Sequence, residues 1–204
     1  MTRQTARHRK PAAPVAEALP PGIAASIGRM IARHSYLDWM LANVLYALLS
    51  ISIKQGRVAV RIPPPRLYIT TVFDLLAYQR LHLAFNLAAL ERKLVAADQA
   101  RNMLGHSVFA RDERSGKLFV YLVSGTWDVA QALEAGRRGL MSEKIEVTRA
   151  FLAGKRAAIE DAIKAARQLA EQVDDGLQAL NQIRRTRRAL DRRSSAQVPG
   201  NRRG

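Results

Sequence analysis

Cysteine is absent from the 204 residues, which excludes a disulfide framework, a thiolate nucleophile and every zinc or iron–sulfur site built on sulfur ligands. Histidine is scarce: His8, His34, His82 and His106 are the only imidazoles, and no two of them stand at a metal-ligand spacing such as H-E-x-x-H. A glycine-rich phosphate loop and a G-x-S-x-G elbow are both missing, so no metal and no cofactor is expected. A long apolar run is lacking too. The most apolar stretch, residues 41–53, is interrupted by Asn43, Ser50 and Ser52 and falls short of the roughly 18 to 20 residues that span a bilayer. The basic start, Met1–Lys10, is followed by Pro11, Pro14, Glu17, Pro20 and Pro21 where a secretory signal would place its apolar core. These absences lead to the expectation of a soluble, cytoplasmic protein with no membrane partner.

Acidic residues are few: 17 Asp and Glu stand against 33 Lys and Arg, a formal charge of +16. A field of that sign attracts polyanions, nucleic acid first among them. Most of the excess sits at the ends. Residues 1–10 carry +4, and residues 184–204 carry +7 through Arg184, Arg185, Arg187, Arg188, Arg192, Arg193, Arg202 and Arg203 against Asp191, leaving +5 for residues 11–183. Arg-rich ends solubilise a protein and bind any polyanion, so Arg184, Arg185, Arg187 and Arg188 are candidate nucleic-acid contacts that carry no sequence preference of their own.

What remains is a helical pattern. Residues 1–21 are rich in Pro, Ala and Arg without periodicity and read as a disordered basic arm. Residues 22–190 read as a single helical-bundle domain, and 191–204 as a disordered Arg-rich tail. Within the domain, Ile27, Ile31, Leu41, Leu45 and Leu48 recur at helical spacing in a first helix expected to run to about Lys54. His34 and Asp38 interrupt that seam with polar side chains one turn apart. The prolines at 63–65 predict a loop over 56–68, with a weak strand at 57–62. A second helix is expected from a Thr70 or Thr71 cap to about Arg80, and a third, with a break near 81–84, to Gly105. Leu118–Val123 is β-rich after the turn chemistry of 111–116 and predicts a hairpin. A short helix is expected over 128–138, and a long one over about 142–190 whose Ile159, Ile163, Ala166, Ala170, Val173, Leu177 and Leu180 repeat in heptads; that helix reads as the edge of a bundle or as a coiled-coil dimer seam. The fold expectation is therefore all-α, a four- to five-helix bundle with a small β-hairpin insertion after the third helix.

Chemistry concentrates at the end of that third helix, in Arg101-Asn102-Met103-Leu104-Gly105-His106-Ser107. Five residues of helix turn about 500°, so a regular helix does not superpose Arg101 and His106. A helix ending at Gly105 lets the imidazole swing back, gathering a fixed cation, an amide and a titratable ring. A guanidinium grips a phosphate in a fork, and an imidazole moves a proton near neutral pH. The other reading is a helix C-cap, with His106 bonding the last carbonyls. His8 and His82 read as solvated side chains.

Arg-Asn, three residues and His, closing a helix of an all-α bundle, resembles the signature of the HEPN superfamily (higher eukaryotes and prokaryotes nucleotide-binding domain). The resemblance covers roughly residues 23–183, through "SYLDWMLANVL" in the first helix, "TVFDLLAYQ" in the second and "QARNMLGHS" in the third. It implies a metal-independent ribonuclease site composed across a homodimer, with Arg101, Asn102 and His106 catalytic and Asp38 as the acid from an earlier helix; His34 and Ser107 stand beside them as support. The implied activity is endonucleolytic cleavage of single-stranded RNA, in a toxin or defence component with an antitoxin or other regulatory partner. The alternative within the family is a noncatalytic dimeric interaction or RNA-binding module, because a fold does not fix a function. With no metal to activate water, the accessible nucleophile is the neighbouring 2′-hydroxyl, which RNA alone supplies.

Overall fold

The computed structural model describes residues 19–111, 115–122 and 143–196. Among the described residues, five helices and three short strands follow in the order α1 (Pro21–Leu49), α2 (Ile53–Ala59), α3 (Pro65–Gln79), α4 (Leu87–His106), β1 (Val108–Arg111), β2 (Leu118–Leu122), β3 (Glu143–Glu146) and α5 (Arg149–Ala196). The protein is mostly helical with a small antiparallel sheet inserted, as the apolar periodicities require. The basic arm up to residue 18, the helix expected over 128–138 and the tail beyond 196 lie outside the described residues.

Local chemistry sets the boundaries. The first helix stops at Leu49 and not near Lys54, because Ser50 turns left-handed (φ 57°). The segment expected to be a loop starts as a helix instead. Ser52 and Gln55 form a reciprocal cap at the head of α2: the Ser52 hydroxyl accepts from the Gln55 amide at 3.3 Å, and the Gln55 side chain accepts from the Ser52 amide at 3.0 Å. That extra helix makes the β insertion follow the fourth helix and not the third. Pro65 occupies the first turn of α3, where its missing N–H costs nothing. Thr70 and Thr71, expected as caps, lie inside α3 and bond back to the Arg66 and Leu67 carbonyls. The break over 81–86 is present, and Asn86 caps α4 through the Ala89 amide at 2.9 Å.

The sheet has the order β1-β2-β3, antiparallel throughout. Val108 pairs with Tyr121 and Arg111 with Leu118; Phe119 pairs with Glu146 and Leu122 with Glu143. Its third strand corrects the expectation of helix from about residue 142. Residues 143–146 have a strand edge to pair with, and that pairing overrides their helix propensity. Lys117 and Glu146 close the sheet with an ion pair at 2.9 Å. Helix resumes at Arg149, where Thr148 accepts the Phe151 amide at 3.0 Å.

The chain falls into two compact units, one comprising residues up to 35 with 95–160, the other 36–94 with 161 onward. In the first, Ile27, Met30, Ala97, Ala100, Leu104, Phe109, Leu118, Val120 and Ile159 are buried. Arg33 of α1 forks onto Glu160 of α5, Nε to Oε1 at 2.8 Å and Nη2 to Oε2 at 2.6 Å. In the second, the core is Leu37, Leu41, Val44, Leu45 and Leu48 of α1, Tyr68, Val72 and Leu76 of α3, Leu90 and Leu94 of α4, and Ile163, Ala166, Leu169 and Val173 of α5. Gly56 of α2 lies so close to the Tyr46 ring that a Cβ there would overlap it. Burial on α5 fades past Val173, and residues 181–189 are exposed on every side.

Candidate active site

Leu104 and Ala100 pin the end of α4 by their apolar side chains, both almost fully buried. At helical spacing this turns Arg101 and Asn102 outward: Arg101 is half-buried, while Asn102 and His106 are exposed. The helix does not stop at Gly105. It includes Gly105 and His106, and the long arginine side chain, reaching along the last turn, closes the angular gap that a break was expected to close. Arg101 Nη1 donates to Asn102 Oδ1 at 2.8 Å and lies 2.9 Å from His106 Nε2.

One nitrogen with two hydrogens serves both contacts, and their direction is fixed by what arginine is. A guanidinium has donors and no acceptor, so His106 Nε2 must accept. A cation, an amide and an imidazole are thus gathered on an exposed helix end. A cleft of about 380 Å³ in the same unit is lined by Arg29, Arg33, Arg156 and Glu160 among others, and by none of the three.

Ser107 forms the bend between α4 and β1 and is half-buried. His34 is buried, 6% exposed, and its Nε2 lies 2.9 Å from Asp98 Oδ1 on α4. Asp38 follows one turn later on α1, half-buried, in the second unit. Arg184, Arg185, Arg187 and Arg188 are exposed on the distal part of α5.

Asp98 is the residue that sequence reasoning missed. It precedes Arg101 by three positions and Asn102 by four, so the three share one face of α4, with Cβ atoms about 5 to 6 Å apart. Two signals pointed to it: an acid one turn before the arginine, and an unexplained histidine in the apolar seam of α1. Among the described residues no three His, Asp or Glu side chains gather as a metal site. No single described helix is long and apolar enough to cross a membrane. Compared with known proteins, the chain matches no family model, no curated protein and no solved structure.

Proposed function

We propose that the chain is a metal-independent endoribonuclease that cuts single-stranded RNA by attack of a 2′-hydroxyl on the adjacent phosphate, and that it works as a homodimer. The observation that carries this reading is the Arg101 guanidinium bonded to Asn102 and His106 at the exposed end of α4. Phosphoryl transfer needs charge stabilisation and proton movement at one point, and these three groups supply both. On this reading an incoming phosphate takes over the Arg101 N–H donors. Asn102 turns its amide to the scissile group, and the released His106 ring becomes free to exchange a proton. Asp38 remains, on the family resemblance alone, the expected site carboxylate, with a positioning role and no part in proton transfer. The products are a 2′,3′-cyclic phosphate and a 5′-hydroxyl, and DNA is left intact because it lacks the nucleophile. A second subunit doubles a thin constellation by placing the same patch twice about a two-fold axis. Such an activity is hazardous to its own cell, which is the ground for proposing a toxin or defence role with an antitoxin or other regulatory partner.

The test is incubation of the purified protein with mixed single-stranded RNA in EDTA, beside His106→Ala and Arg101→Ala. Cleavage should fall by about 10²-fold or more in each variant. If the protein leaves every RNA intact, or both variants cut as well as the parent, the noncatalytic RNA-binding module takes the place of the enzyme.

A further inference from the structure

A buried polar side chain destabilises a helix seam unless it is hydrogen-bonded, so His34 needs an explanation. Its neighbours on the seam, Ile27, Met30, Leu37 and Leu41, are all buried and apolar. The partner of its ring is Asp98, 64 positions away in the chain, at 2.9 Å. The two side chains differ sharply in exposure: 7% for His34 and 40% for Asp98. The carboxylate is thus held from the protein side by one oxygen while much of its surface faces outward. It stands one turn from Arg101 on the same helix face. The pairing leaves a half-exposed carboxylate one turn before Arg101 on α4.

We infer that Asp98 is the general base of the site and that His34 is the positioning residue that fixes it. The inference rests on the ribonuclease reading and assigns a role that reading leaves empty, because transesterification needs one group to remove a proton and another to supply one. A phosphate gripped by Arg101 brings the 2′-hydroxyl of its own ribose beside the neighbouring turn of α4, where Asp98 stands. The 2′-hydroxyl proton passes to Asp98 as the 2′-oxygen bonds to phosphorus. The bond from phosphorus to the 5′-oxygen breaks, and that oxygen takes a proton from His106, which has first been protonated by solvent once Arg101 releases it. Asp98 then returns its proton to water, so the cycle closes with no other reactant.

The experiment is steady-state cleavage of a single-stranded RNA by the whole protein, comparing Asp98→Asn and His34→Gln with the parent and with His106→Ala. Asp98→Asn keeps an acceptor for His34 and removes only the base. It should lower kcat by about 10²-fold or more, with KM and melting temperature unchanged. His34→Gln keeps a donor but not the ring geometry and should lower kcat by a smaller factor in the same direction; because it alters a buried position, Asp98→Asn decides if that variant does not fold. If the parent cuts, His106→Ala does not, and Asp98→Asn retains full kcat or changes only KM, the role of Asp98 is overturned while the nuclease reading stands. If the parent does not cut RNA at all, both fall together.

Discussion

Tyr68 donates its hydroxyl to the Leu41 carbonyl at 3.2 Å with none of its surface exposed, and burial pushes its phenol far above the ordinary range. The consequence is an alkaline limit on stability. In the unfolded chain the phenol ionises near pH 10, while in the folded state it keeps its proton well beyond that. Above about pH 10 the unfolded state therefore binds fewer protons, and stability falls as pH rises, by up to about 1.4 kcal/mol per unit. At neutral pH the group contributes no slope. Tyr68→Phe should cost about 0.5 to 1.5 kcal/mol at neutral pH through removal of the hydrogen bond and should flatten the alkaline decline. Urea titrations at neutral pH and above about pH 10 check both; equal alkaline slopes in the two proteins would remove Tyr68 as the cause.

Elements were legible in the sequence wherever their determinants are local. The seam of α1, the break before α4 and the proximity of Arg101 to His106 all depend on residues within a turn or two of each other. The reciprocal cap at Ser52 and Gln55 is local as well, but the prolines at 63–65 that follow it carry the stronger local signal, and theirs is for a loop. What the sequence conceals is pairing across the chain. Strand β3 exists because β2 lies beside it, and Asp98 acquires its meaning from a histidine on another helix. Helix α5 shows both sides of this. Its heptads locate the buried stripe through Ile159, Ile163, Ala166 and Val173, yet the helix runs on to Ala196, where charge replaces burial. Arg184 and Arg188 stand one turn apart on the fully exposed segment, with Arg185 and Arg187 flanking them. Replacing the four by Gln should leave the melting temperature nearly unchanged, since none of them is buried. It should also reduce the slope of log affinity for single-stranded RNA against log salt by roughly 0.7 for each phosphate no longer neutralised. Binding isotherms across a salt series measure this; an unaltered slope would mean that RNA approaches elsewhere.

At the scale of the whole molecule, the proposed dimer makes a direct prediction: sedimentation at micromolar concentration should give twice the 22.7 kDa chain mass. A strict monomer would leave one patch per molecule and undercut the composite site. The charge of +16 acts at longer range than any contact described above. A field of that sign draws polyanions without choosing among sequences, and salt weakens it steeply. The patch at the end of α4 works on a different basis, because its guanidinium is already engaged by Asn102 and His106. A phosphate arriving there exchanges partners with groups already in place, so it gains only the difference between the old bonds and the new. A stray phosphate gains little from such an exchange, whereas a ribose and phosphate that also place a hydroxyl against Asp98 gain more. On the proposed ribonuclease reading, the resting bonds of Arg101 therefore act as a threshold, separating RNA that is merely held near the protein from RNA that is positioned to react.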